Sequence, residues 1–132
     1  MKKILRTLTV ILILSFIPAI ASAADRLSLS GKIAGMRVRM SLVINDNGTA
    51  NGTYYYLKYG SKNKINLTGL VTYDGVGAHG TFYNVQLKEI TKGQLTGVIE
   101  GELHFASWGD GIDGTHTNAR TGRQTKVELN IE

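Results

Sequence analysis

Met36-Arg37-Val38-Arg39-Met40-Ser41-Leu42-Val43-Ile44 is the stretch on which the fold turns. Met36, Val38, Met40, Leu42 and Ile44 fall on one side of an extended chain, and Arg37, Arg39 and Ser41 fall on the other. Successive side chains of a strand point to opposite faces, so this period of two marks a strand with one face against a core. Asn45-Asp46-Asn47-Gly48 follows. Its residues tolerate positive φ and read as a hairpin turn, after which the chain rises again through Thr49 to Tyr59.

Working outward, the same pattern recurs. A first strand is expected near Leu27 to Ile33, and another at Ile65 to Thr72 after the turn Gly60-Ser61-Lys62-Asn63. Tyr83, Val85 and Leu87 alternate with polar neighbours after a turn around Asp74-Gly75-Val76-Gly77. From Leu95 to Phe105, one face takes Leu95, Gly97, Ile99, Gly101, Leu103 and Phe105, and the other takes Thr96, Glu100, Glu102 and His104. A loop from Ala106 to Gly111 leads to a short strand, Ile112 to Asn118, and Thr121-Gly122-Arg123 turns into Thr125, Val127, Leu129 and Ile131. That makes about eight strands with connections short enough for antiparallel hairpins, since a parallel crossover needs a dozen or more residues. An up-and-down meander of that size tends to close into a barrel and so remove its edges. The expectation is an all-β antiparallel meander closed as a barrel, with a two-sheet sandwich as the alternative. Glycines inside the strands (Gly52, Gly69, Gly97, Gly101) suit bulges and tight bends.

The ends set the class. Lys2, Lys3 and Arg6 precede the apolar run Leu8 to Ile17, then Pro18 and the small-x-small site Ala21-Ser22-Ala23. That order is a cleaved secretory signal over residues 1–23, and a run of about ten residues is half of what a bilayer span needs. Residues 24–132 are then one exported domain, periplasmic or extracellular. The chain carries 15 Lys and Arg against 10 Asp and Glu. Three of those cations belong to the signal, so the remaining balance is only +2, without a basic run, and a nucleic-acid partner is not expected. The chain has no Cys, so the fold relies on its core and not on disulfides. Arg37, Arg39, Lys88, Glu100, Glu102, Lys126 and Glu128 on the outer faces exclude a lipid-facing barrel, and no membrane span is expected in the processed chain.

Five stretches carry a resemblance. Gly48-Thr-Ala-Asn-Gly52-Thr-Tyr54-Tyr-Tyr56 is followed by Ile65-Asn-Leu67-Thr-Gly69 and by Leu87-Lys-Glu89. Then come Gly93-Gln-Leu-Thr-Gly97-Val-Ile-Glu-Gly101 and Ile112-Asp-Gly114-Thr115. Together they resemble small secreted bacterial β-proteins of unknown function. Such proteins usually place Trp after the last Gly-Thr, where this chain has His116. Gly48 to Tyr54 is also similar to the avidin barrel, but biotin sites of that family rely on several tryptophans and this chain has only Trp108. Biotin is not carried over, and no cofactor is expected.

Chemistry-bearing residues are few. If the hairpin around Asp110 is symmetric, His104 and His116 face each other with Glu102 beside them. A zinc or copper site wants three or four ligands, and a solvent-side histidine pair is the preferred reading, with no metal. Trp108, on a Gly-rich loop with Asp110, either plugs the barrel mouth, the favoured role, or anchors an interaction. Tyr54, Tyr55, Tyr56 and Tyr59 cluster on one strand, so that one pair could form an outward strip for a protein or glycan, although strand propensity alone accounts for tyrosine there. There is no Gly-x-Ser-x-Gly elbow and no phosphate or dinucleotide loop, and no catalytic residue is nominated. The resulting expectation is a non-enzymatic exported binding domain with a protein partner, of inhibitor or immunity type by analogy of size. The alternatives are a small-ligand carrier of lipocalin or avidin shape, and a hydrolytic enzyme.

Overall fold

The computed structural model describes residues 24–132, so the expected signal segment, Met1–Ala23, lies outside the described residues. Eight strands follow in order: β1 (Asp25–Ile33), β2 (Met36–Ile44), β3 (Thr49–Tyr56), β4 (Ile65–Gly77), β5 (Gly80–Thr91), β6 (Gln94–Ala106), β7 (Gly109–Asn118) and β8 (Gln124–Ile131). Each pairs antiparallel with the next. β8 returns to β1 through a ladder from Leu29–Ile131 to Ile33–Val127, which closes the barrel. The described residues form an all-β meander without a free sheet edge.

The alternation read from the sequence fills the interior. Leu29, Ile33, Val38, Leu42, Leu87, Ile99, Leu103, Ile112 and Val127 are each at most 1% exposed. An eight-stranded barrel is just wide enough for such side chains to meet across it, and each contributes roughly 1.5–3 kcal/mol when fully buried. Two hairpins are drawn tight by two-residue turns with positive φ at both positions, Ala34-Gly35 (55° and 77°) and Lys92-Gly93 (52° and 76°). That backbone matches the right-handed twist of the strands it joins.

Three expectations change. β1 starts at Asp25, two residues earlier than Leu27. The segment Asp74–Gly77 is not a turn: β4 runs through it, with the ladder slipping between Tyr73 and Gly75, and the chain reverses only at Ala78–His79. Likewise the loop at Ala106–Gly111 shrinks to Ser107–Trp108, because Ala106 already pairs with Gly109. In addition, a bulge opposite Glu89–Ile90 leaves Thr96 between two pairings, Gly97 with Glu89 and Leu95 with Ile90. The extra residue flips the face ahead of it, so Leu95 is 47% exposed where the alternation put it inside.

These extensions make the rim uneven. β4 stops pairing with β3 at Leu70 but runs on to Gly77. The β4–β5 and β6–β7 hairpins, paired to each other through β5 and β6, therefore rise as a flap above the low rim formed by the start of β1 and the β2–β3 turn.

Candidate functional site

Under the flap lies a cavity of about 670 Å³ at the barrel's open end. Tyr73, Tyr83 and Phe105 line it from the flap, continuing the inward row of Val71 and Leu103. Their rings meet edge to face, at 5.7 Å between Tyr73 and Tyr83 and 6.1 Å between Tyr83 and Phe105. Leu27 and Ile44 form the apolar floor opposite, and Asp25, Arg26 and Asn45–Asn47 supply polar groups along the low rim. Asn47 is held by its own turn, where its Oδ1 accepts from the Thr49 backbone N–H and hydroxyl.

The other face of the flap is also aromatic. Trp108, 61% exposed, stacks on Phe82 (5.9 Å, 29° between planes) and lies against His104 (5.6 Å) and His79 (6.3 Å). Phe82 and His104 are cross-strand partners that alternate with the cavity-lining Tyr83 and Leu103, so this cluster is on the outer wall. Trp108 therefore does not plug the mouth. It braces the flap from outside, covering His104, whose Nδ1 lies 3.0 Å from the Gly109 carbonyl and whose Nε2 lies 2.8 Å from an Asp113 oxygen. The Ser107 N–H donates to the His79 carbonyl at 2.8 Å and ties the two flap turns together.

At the opposite, packed end the interior holds a carboxylate. Glu89 continues the inward row Val85, Leu87 and is 7% exposed. Its Oε1 accepts from the Tyr54 hydroxyl and faces His116 Nε2 at 3.0 Å, while its Oε2 accepts from the Thr96 hydroxyl at 2.7 Å. Burial alone would push the Glu89 carboxyl upward. The bonds from His116, Tyr54 and Thr96, with the attraction of His116, outweigh it and hold the carboxyl below its ordinary value. Burial first, and then the bond to Glu89, push the Tyr54 phenol well up, so Tyr54 stays a donor. The bulge turns the Thr96 hydroxyl inward, and Gly97 leaves the space: a Cβ there would lie 2.6 Å from His116 Nε2 and 3.2 Å from Glu89 Oε2.

The nominated residues separate accordingly. Trp108 and Asp110 belong to the flap, Asp110 opposite Phe105 in the ladder. The outward tyrosine strip is not formed. Tyr54 is 1% exposed inside the barrel, Tyr56 is half-buried and packs edge to face on both Tyr54 and Tyr59, Tyr55 alone of the strand's three faces outward, and Tyr59 sits in the following loop. His104 and His116 do not face each other. The turn centres on Ser107–Trp108 instead of Asp110, so His104 opposes Gly111 and His116 opposes Ile99, one histidine outside the wall and one inside. Among the described residues no three His, Cys, Asp or Glu side chains gather closely enough to hold a metal. Neither the cavity-lining aromatics Tyr73, Tyr83 and Phe105 nor Glu89 were nominated from sequence. Glu89 stood in an inward register position, and a carboxylate at an inward position is the signal that would have found it. Set against protein-family models, curated proteins and solved structures, the chain matches none of them.

Proposed function

We propose that the protein is an exported, non-enzymatic binding domain that docks a protein partner on its open mouth. The observation that carries this is where exposed hydrophobic surface lies. Of seven exposed large hydrophobics among the described residues, Tyr73, Val76, Phe105 and Trp108 are on the flap, and Tyr73 and Phe105 line the cavity, whose opposite rim is polar. Exposed aromatics that ring a depression are the composition of an interface anchor. The titratable groups whose pKa values move sit at the other end, each bonded to another and away from the cavity, which argues against a reaction centre at the mouth.

Photo-crosslinking tests it. A photoreactive amino acid at Tyr73 or Val76 is expected to trap one protein species from the exported fraction, and the same probe at Lys88 on the outer wall to trap none. Equal trapping from Lys88 sinks the reading. A small-ligand carrier is the second reading, favoured by the cavity volume, which falls in the range of roughly 300–1,000 Å³ typical of ligand pockets. It predicts instead a saturable shift of the Tyr73, Tyr83 and Phe105 resonances with a small apolar compound and no trapped protein.

A further inference from the structure

We propose an anion site on the outer wall that takes a phosphate group. Lys32 and Arg37 are directly opposite each other in the β1–β2 ladder, and Arg39 is on the same outer face of β2 one step along, opposite Ser30. Like charges directly opposite in a sheet destabilise it. The usual remedy, an ion pair with a neighbouring acid, is not formed here. Glu128 opposes Lys32 from β8, but its Oε2 bonds Lys126 Nζ at 3.2 Å, and none of the three cations has a carboxylate within salt-bridge distance among the described residues.

The three cations line one groove of about 240 Å³ with Ser30, Asn130 and Leu57. The lining thus includes two arginines, a lysine, a serine and an asparagine, and nothing in it is acidic. Guanidinium groups match the oxygens of a phosphate with paired N–H bonds, and a lysine adds a point charge. The doubled charge of a phosphate monoester offsets the repulsion that the ladder carries when the groove is empty. The site lies on β1 and β2, away from the flap, so it stands independently of the proposed mouth interface.

The test is an NMR titration of residues 24–132, which close the barrel among themselves, with inorganic phosphate and pyrophosphate. The expected result is a saturable shift confined to Ser30–Lys32, Arg37–Arg39 and Asn130. It should weaken about tenfold or more in Arg37→Ala with Arg39→Ala, stay unchanged in Lys88→Ala, and fall off with added salt. Cosedimentation with phosphatidylglycerol vesicles, against phosphatidylcholine vesicles, separates the sources. Arginine-dependent capture by the anionic vesicles assigns a lipid headgroup, and binding of the inorganic anions without such capture assigns a soluble phosphate compound. Arg37→Glu adds an orthogonal readout: it should abolish binding yet raise Tm by roughly 1–4 °C, because the like-charge pair across β1 and β2 becomes an opposite-charge pair. No saturable shift, or shifts spread equally over Lys58, Lys62, Lys88 and Lys92, would overturn the assignment.

Discussion

The two ends of this barrel solve opposite problems with the same side-chain period. At the packed end the inward row finishes in polar groups that satisfy one another: Glu89 accepts from Tyr54, His116 and Thr96. At the open end the inward row finishes in Tyr73, Tyr83 and Phe105, whose rings meet one another edge to face and line the cavity. A buried carboxylate is expensive unless it is bonded, whereas an exposed ring costs little and is free to find another surface. On the proposed reading, the polar cluster, although it holds the most perturbed groups among the described residues, serves stability, and the plain aromatic mouth serves recognition.

The strongest way to break that comparison is Glu89→Ala. It strands three buried or half-buried donors and opens a cavity between them, so unfolding by urea should show a loss of about 3–5 kcal/mol. Crosslinking from Tyr73 on the folded fraction should persist. Loss of trapping without loss of stability would assign the cluster to function instead.

The next effect is smaller and depends on pH. Tyr54→Phe keeps the ring packing and deletes one of the carboxylate's donors, at a cost of about 1.5–3 kcal/mol. The sign of the pH dependence follows from Glu89. Its folded-state value is held below its ordinary 4.5, so the ionised, bonded carboxylate stabilises the barrel above that value. The contribution is lost as pH falls below 4.5 and through the lower folded-state value. Removing the Tyr54 donor narrows that gap. Urea midpoints between neutral and acid pH should therefore fall less steeply in Tyr54→Phe than in the parent, and a parallel pair of curves would show that Tyr54 does not hold the charge.

How far the sequence could be read follows the same division. The wall was legible, because Met36 to Ile44 and the strands after it alternate cleanly and alternation is all that a closed meander demands. The ends were not, because both depend on breaks in that period. Thr96 is an extra residue that no pattern marks, and it reverses Leu95 while delivering a hydroxyl to Glu89. Gly75 and Gly77 carry turn chemistry, yet they extend a strand, because the slip after Tyr73 absorbs them. Placing the β6–β7 turn at Asp110 instead of Ser107–Trp108 displaced both histidines. The Lys32–Arg37–Arg39 group was invisible as a basic run for a related reason, since two strands and an intervening turn assemble it.

The smallest effects on stability should come from the flap, and they sharpen the comparison most. Trp108→Ala removes the stacking on Phe82 and uncovers His104. An aromatic contact of this kind is worth about 0.5–1.5 kcal/mol beyond area, so stability should drop by about 1 kcal/mol. Faster amide exchange should be confined to the two flap turns that Ser107 and His79 join. Tyr73→Ser should do less still. Its ring is 62% exposed, and substitutions at such positions usually stay within about 0.5 kcal/mol. If the mouth is an interface, the same change should weaken capture of the partner by tenfold or more, since truncating an anchoring aromatic typically costs about 2 kcal/mol of binding. A residue that barely supports the fold and yet dominates binding has no structural explanation for its exposure other than contact. A Tyr73→Ser protein that unfolds readily, or that holds its partner as well as the parent does, would remove the mouth from recognition and leave the flap as mere overhang.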